Sequence, residues 1–377
     1  MVLNDGLANM AFRLDLQDLG ILLNTLPGVG QVAASYEEIH PEIVDVGLQV
    51  VRDANMRFMN QLLDGSITPP ATAQTSLVAS NDETVPIVKT SGDGPTVWAS
   101  ASFVSLSQDG GDTPALEWDT DGYEVSVGVR DLPLGPVRVG GTFSYVDLDS
   151  ETAIAIPDQV DTEFARVALD ARMAINDGGK GINARIEAAG FWAAGDNEID
   201  RLVSLPAVQF ATQQRANTDF DAYGGAARIS IDGFNGNDWV VKPYLLLGGD
   251  AYDQDATTFF GNDVLNLTTD AESFSRFTLG YGLTLDQQVT ERTRFRAAVG
   301  GRQHFGDTQG IFNSRFLATQ GPVSTFRTYG FDVDEQYLID AAVSHRFGNH
   351  WTVTASGFGE FGDITGGGAT LRLSKRF

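Results

Sequence analysis

Apolar and polar residues alternate one by one through much of the chain between Thr96 and Phe377, and this period of two is the strongest constraint on the fold. Successive side chains of a β-strand point to opposite faces, so each such run predicts a strand with one apolar and one polar face. The clearest run covers residues 276–285, and similar runs cover 294–305, 337–347 and 370–377. Its apolar face consists of Phe277, Leu279, Tyr281, Leu283 and Leu285.

The connections between these runs are sorted by length. We count about twelve strands, which begin near Thr96, Asp121, Val137, Glu163, Gly181, Asp219, Trp239, Phe274, Thr293, Phe326, Trp351 and Gly368. The turns after even-numbered strands are short: 132–136, 176–181, 233–238, 289–292 and 347–350. Those after odd-numbered strands are longer, except 363–366: 108–118, 149–161, 195–217, 253–272 and 307–324.

Short turns at one rim and long loops at the other are typical of outer-membrane barrels, whereas a β-sandwich has no reason to sort its loops in this way. We therefore predict an all-β fold, a closed antiparallel transmembrane β-barrel of about twelve strands, over residues 96–377. Mean hydropathy is −0.10 and no run of 18 apolar residues exists, which excludes a helical membrane protein. Composition alone, with 42 glycines and 10% aromatic residues, also suits a soluble sandwich.

Charge and cysteine content narrow the function. The net charge of −25 repels nucleic acid, so we expect no nucleic-acid partner. The chain has no cysteine, which leaves no thiolate nucleophile and no Cys-ligated metal. Its four histidines lack metal-binding spacing, and no GxSxG motif occurs. We expect no enzyme activity, no catalytic or metal site and no cofactor, and we place His304 near the outer rim.

The first 95 residues differ in character from the rest. Residues 1–63 have helical spacing, first around 7–19 and then more strongly from about Pro41 to Leu63. Residues 64–95 have the composition of a flexible linker. The chain does not open with a signal peptide, so we expect it to be the C-terminal piece of a longer precursor. Residues that could place the second helix in a barrel lumen are Val44, Asp45, Leu48, Arg52, Asp53 and Phe58.

Arginines lie on the polar faces of the later strands. An arginine in a low-dielectric wall needs carboxylate or carbonyl partners, so these residues could hold a plug through Asp45, Asp53 or Asp340. Ladders of charge between neighbouring strands are an equally good interpretation. The predicted lumen-facing residues are Arg276, Arg294, Arg296, Arg302 and Asp340. Acidic residues collect in the long loops, either as an ordinary solvated surface or as a means of bridging to lipopolysaccharide through divalent cations.

Three sequence passages together resemble the autotransporter β-domain. The entry strand VWASASF at 97–103 is followed by YEVSVGV at 123–129, as in that family's first hairpin, and VRVGGTFSY at 137–145 looks like its third strand. The end ATLRLSKRF at 369–377 resembles the closing strand of outer-membrane proteins. The likeness covers about residues 36–377. It departs from the family at the linker 64–95, because the lumen helix of the family leads almost directly into the first strand.

The resemblance implies a function. The chain would be the outer-membrane translocator and anchor of a secreted protein, a single monomeric barrel in contact with outer-membrane lipid and lipopolysaccharide. The barrel-assembly machinery would read the final strand through Leu371, Leu373 and Phe377, the helix would thread the lumen, and the protein's own N-terminal passenger would reach the cell surface. Two alternatives stay open: a free-standing porin or channel with a periplasmic helical extension, and a soluble β-sandwich adhesin.

Overall fold

The computed structural model describes residues 43–63, 94–108, 117–152, 157–176, 183–205, 210–236, 238–261, 266–317, 325–348 and 350–377. The predicted helix around residues 7–19, Pro41 and the linker 64–93 lie outside these residues. One helix, α1 (Ile43–Leu63), precedes the strands. The strands are β1 (Thr96–Gln108), β2 (Trp118–Leu134), β3 (Val137–Thr152), β4 (Gln159–Asn176), β5 (Asn183–Leu205), β6 (Phe210–Ile231), β7 (Phe234–Asn235), β8 (Trp239–Gln254), β9 (Thr257–Phe259), β10 (Leu267–Thr269), β11 (Glu272–Thr290), β12 (Thr293–Gly306), β13 (Gln309–Phe316), β14 (Thr325–Asp332), β15 (Glu335–Phe347), β16 (Trp351–Gly362) and β17 (Thr365–Arg376).

Twelve of these strands form one closed antiparallel sheet. The order around the ring is β1, β2, β3, β4, β5, β6, β8, β11, β12, β15, β16 and β17. The ring closes where β1 pairs with β17, from Thr96 opposite Arg376 to Ser107 opposite Thr365. Closure leaves no free sheet edge within the ring, so its backbone groups can be satisfied without water. The predicted twelve-stranded barrel is confirmed.

The two faces of the wall differ as the alternation predicts. Phe277 and Leu283 are each 48% exposed on the outside, whereas the residues that follow them, Thr278 and Thr284, are buried inside. The exposed large apolar side chains elsewhere include Phe103, Phe143, Leu169, Trp192, Leu245 and Ile339. An apolar outer belt around a polar interior is the arrangement of a membrane barrel and the reverse of a sandwich. The helix α1 is not long and apolar enough to cross a membrane by itself.

The short-turn rim matches the prediction. The turn between β2 and β3 places Gly135 at φ 62°, and the turn after β15 places Gly348 at φ 58°, a left-handed conformation that glycine adopts without strain. At the opposite rim, the predicted tight connection between β16 and β17 is also present. Because periplasmic turns are short, we take the short-turn rim as the periplasmic one.

The predicted loop at 195–217 is wrong. Strands β5 and β6 continue through it and pair to Leu205 opposite Phe210. The reason is that every second residue, from Asn197 through Ile199 and Arg201 to Val203, remains buried, so the alternation of the two faces continues above the belt. The hairpin is also bonded to the residue that follows β9, because Arg215 exchanges backbone hydrogen bonds with Phe260 at 3.0 and 2.9 Å.

The predicted tenth strand beginning near Phe326 is also wrong. Residues 325–332 form β14, and the barrel strand at this place is β15. The loops predicted at 253–272 and 307–324 contain β9, β10 and β13, which join β14 in a separate sheet of order β14-β13-β10-β9. We call this sheet the outer cap. Its Phe312 packs against Phe274 with ring centroids 5.1 Å apart, and both belong to the core that includes α1.

Candidate functional site

The helix α1 lies in the lumen of the barrel. Nineteen of its 21 residues are buried, including every polar residue before Asn60. It contacts strands on different sides of the ring, among them β3, β5 and β8, and also β14 of the outer cap. A helix of this length spans about 31 Å at about 1.5 Å per residue, which is close to the thickness of a bilayer core. The interface between α1 and the lumen is therefore the candidate functional site.

The outer end of α1 is held by the backbone of the outer cap and the chain beside it. The backbone N–H of Phe331 donates to the Asp45 carboxylate at 2.9 Å. The Gln49 amide donates to the carbonyl oxygens of Phe331 at 3.2 Å and Thr308 at 3.4 Å. Gly310 and Gly330 approach Asp45 so closely that a Cβ on either would overlap its carboxylate. This end therefore depends on loop backbone and on two glycines.

The middle of α1 joins a shared carboxylate on the wall. Arg52 lies 3.1 Å and Arg276 3.0 Å from the two oxygens of Asp250, and all three side chains are almost fully buried. Arg52 also donates to the carbonyl oxygen of Asp307 at 2.6 Å. Asp250 therefore balances the positive charge of one arginine on the helix and of one arginine on the wall.

A second ionic cluster on α1 is formed by Asp53, next to Arg52, and by Arg57 one turn further on. Asp53 pairs with Arg57 on the helix at 2.6 Å and accepts a hydrogen bond from Gln336 on β15 at 3.1 Å. Arg57 also lies 3.8 Å from the buried Glu360 of β16. On this side, too, the contacts run from the helix to the barrel wall.

The opposite side of α1 is held by Arg166 of β4. Its guanidinium donates to the Ala54 carbonyl oxygen at 3.2 Å and to the Asn55 side-chain oxygen at 2.9 Å. It pairs with Glu124 of β2 at 2.6 Å and lies 3.6 Å from the centre of the Phe58 ring. One side chain thus reaches helix backbone, helix side chains and a second strand.

The inner end of α1 is held by two more wall arginines. Arg130 donates to the carbonyl oxygen of Leu62 and pairs with Asp170 at 3.2 Å. Arg302 donates from Nε to the side-chain oxygen of Asn60 at 3.1 Å. A cation near the last carbonyls of a helix also complements the negative end of its dipole. Arg130 lies in β2 just before its short turn, so the C-terminus of α1 points to the periplasmic rim.

The four predicted lumen arginines fall into two pairs. Arg302 touches α1 directly, and Arg276 reaches it through Asp250. Arg294 and Arg296 instead lie 2.8 and 3.9 Å from Asp286 on the neighbouring strand, which matches the ladder interpretation. Asp340 lines a lumen cavity beside them. Of the carboxylates proposed as partners, Asp45 accepts a hydrogen bond from the outer cap and Asp53 pairs with Arg57 of the helix. The carboxylates that lie beside the helix arginines from the wall are instead Asp250 and Glu360.

The apolar helix candidates pack into the core. Val44, Leu48 and Phe58 are all buried in the cluster that includes inward-facing wall residues such as Phe164 and Phe220. An apolar helix surface is thus accommodated because part of this lumen is itself apolar. His304, expected near the outer rim, is buried between Thr278 and Gln336 at 2.9 and 3.2 Å.

Several residues of this interface did not emerge from the sequence: Glu124, Arg130, Arg166, Asp170, Asp250 and Glu360. Each occupies the inward parity of its strand, which was available as a signal. Alternation shows that these side chains point inwards. It does not show at which height in the barrel the helix lies, and therefore which helix residue each charged side chain meets.

The predicted terminal signal residues face outwards. Leu371, Leu373 and Phe377 are exposed, and the first two lie opposite Ala101 and Ala99 of β1. The backbone N–H of Phe377 donates to the Pro95 carbonyl oxygen at 3.0 Å. The last residue of the chain therefore lies at the seam that closes the barrel, and its reading by another protein stays a prediction.

Comparison with known proteins adds a family and a fold. A family model described as the autotransporter beta-domain matches residues 97–357, well over half of the chain. The chain resembles the translocator domain of autotransporter NalP from Neisseria meningitidis at 14% identity and a TM-score of 0.59, covering 88% of this chain and 97% of that one. It also resembles the beta domain of the Bordetella autotransporter BrkA at 13% identity and a TM-score of 0.50, covering 76% and 100%. No curated protein sequence matches the chain.

Proposed function

Because the chain belongs to the autotransporter beta-domain family, we propose that α1 is the trailing segment of a passenger that remains in the pore after transport. The chain is the outer-membrane translocator and anchor domain of an autotransporter-like protein with an N-terminal passenger. The observation that carries the proposal is the burial of α1 inside a closed barrel, with buried ion pairs and hydrogen bonds along its length.

The direction of α1 supports an outward path for the passenger. Its N-terminal residues contact the outer cap, at the rim with long connections, and its C-terminal residues contact Arg130 near the short-turn rim. The N-terminal end of α1 therefore lies towards the long-connection rim. Under this proposal the passenger side is the cell surface. The passenger tail and the lumen helix are residues 1–63, the linker is residues 64–95, and the barrel is residues 96–377.

A free-standing porin is less well supported, because a helix with 19 buried residues occupies the lumen. We further propose that the barrel works as a monomer, since the ring closes within one chain. Leu371, Leu373 and Phe377 would present the final strand to the barrel-assembly machinery. The outer belt would contact lipid, and the acidic outer rim would meet lipopolysaccharide.

Surface exposure in a Gram-negative host tests the passenger path. The chain is expressed with a signal peptide and one epitope tag ahead of residue 1, and a matched version carries the tag after Gly135 in the short β2–β3 turn. We expect added protease to remove the first tag from intact cells and to spare the second until the outer membrane is opened. If the first tag is protected while the barrel is folded in the membrane, the proposed passenger path is wrong.

A further inference from the structure

A cavity remains in the lumen between the C-terminal half of α1 and the wall formed by β12 and β15–β17. The empty space there, about 650 Å³, includes open solvent. Four arginines line it, together with the carboxylates of Asp340 and Glu360. The lining arginines are Arg57, Arg296, Arg302 and Arg372.

Arg372 is the unusual member of this lining. It is 4% exposed, and its guanidinium has no hydrogen bond or ion pair with any of the residues that the structure describes. Its contact is with the Trp98 ring, whose centre lies 4.7 Å away. A buried cation without an anionic partner is costly in a low-dielectric interior, so an anion beside Arg372 would be favoured.

Arg302 points to the same conclusion. It is 3% exposed, and while its Nε binds Asn60, its buried Nη1 has no partner within the described part of the chain. Buried N–H groups without acceptors are rare, and a bound ion or water is one way in which such groups are satisfied. Arg302 lies on β12 and Arg372 on β17, with β15 and β16 between them, so the cavity offers unused donors at two separate places on the wall.

The balance of charge around the cavity favours an anion rather than a cation. The four arginines outnumber the two carboxylates of the lining. Glu360 lies 3.8 Å from Arg57 and its charge acts on Arg302, and neither Glu360 nor Asp340 forms an ion pair with Arg372 within the described residues. Arg130 adds a further positive charge that acts on Arg372, against the single carboxylate of Glu124.

We propose that this cavity binds a small inorganic anion of the chloride class, held by the guanidinium group of Arg372. Arg57 and Asn60 belong to α1, whereas Arg302 and Arg372 belong to the wall. The anion thus lies at the contact between the helix and the barrel, and its binding stabilises the plugged state by mass action.

Chloride binding to the full chain, refolded in detergent, tests the proposal. The line width of ³⁵Cl in nuclear magnetic resonance reports exchange between free and bound chloride, and it is measured for the wild type, Arg372→Gln and Arg294→Gln. The last variant removes a lumen arginine that does not line the cavity. We expect Arg372→Gln to weaken chloride binding about tenfold or more, the usual effect of losing a charged hydrogen bond.

Controls separate binding from folding. Each variant must show heat-modifiable gel mobility, and Arg372→Lys should retain most of the chloride signal because it keeps the charge. Equal chloride line widths for the wild type and Arg372→Gln would overturn the proposal.

Discussion

The two ends of the lumen helix are held by different parts of the molecule. The outer end lies against backbone groups of the cap region, through Asp45 and Gln49. From Arg52 to Leu62 the contacts are instead charged side chains of the barrel wall, among them Asp250 and Arg166. Wall contacts come into place when the sheet closes, whereas cap contacts need the long connections to fold as well. The plug thus has one attachment built into the barrel and one built into its loops.

The largest expected effect comes from the shared carboxylate. Asp250→Asn leaves Arg52 and Arg276 buried without an anion, since their side chains are only 1% and 3% exposed. Loss of one partner of a buried pair costs about 3–5 kcal/mol, which we expect as a decrease in the free energy of unfolding in urea and lipid. The matched control is Asp253→Asn, because Asp253 faces outwards on the same strand. Equal stability of the two variants would mean that Asp250 does not hold the helix.

Arg166→Gln tests the wall attachment on the other side of α1. The variant loses donors to Ala54 and Asn55, but its partner Glu124 is partly exposed and can regain water. We expect a loss of about 2 kcal/mol in the free energy of unfolding, typical of a charged hydrogen bond and smaller than that of Asp250→Asn. Arg185→Gln, at an inward but 45% exposed side chain, serves as control. A larger loss for the control than for Arg166→Gln contradicts this assignment.

Gly330→Ala tests the attachment at the outer cap. The added methyl group would overlap the Asp45 carboxylate, and overpacking of this kind costs about 1–3 kcal/mol. We expect faster amide hydrogen exchange at Val46 to Gln49, with little change from Asn55 to Leu62. In an Asp45→Ala background, which already lacks the hydrogen bond from Phe331, adding Gly330→Ala should increase the exchange no further, because the clash is gone. If exchange rises equally along the whole helix, the two attachments are not separate.

The smallest effect on stability is expected for the ion pairs that Asp286 forms with neighbouring cations of the wall. Arg294→Gln leaves Asp286 with Lys242 at 2.9 Å and with Arg296. Because the Arg294 side chain is 26% exposed, we expect a loss below about 1 kcal/mol in the free energy of unfolding. Exchange of the α1 amides should not change. A release of α1 in this variant would assign Arg294 to the plug after all.

The sequence predicted the wall better than the lumen contacts. Alternation is local, so strands such as β11 and the short turn at Gly135 followed from a few neighbouring residues. The outer cap escaped because β9 and β10 have three residues each, too few for a period to be visible, and β10 pairs with the distant β13. Asp250 and Arg166 escaped because their partners are fixed by the height of α1 in the barrel, which no local pattern records.

The most direct test of the buried plug uses a single introduced cysteine. The native chain has none, so Ala54→Cys carries the sole thiol, at a position 4% exposed inside the lumen. Leu134→Cys, at a position 66% exposed in the short β2–β3 turn, gives the reference rate. With the barrel folded in detergent, we predict that a bulky maleimide labels the Leu134→Cys variant readily and the Ala54→Cys variant only after heat unfolding. Equal labelling of the two variants in the folded barrel would contradict a helix enclosed by the strands.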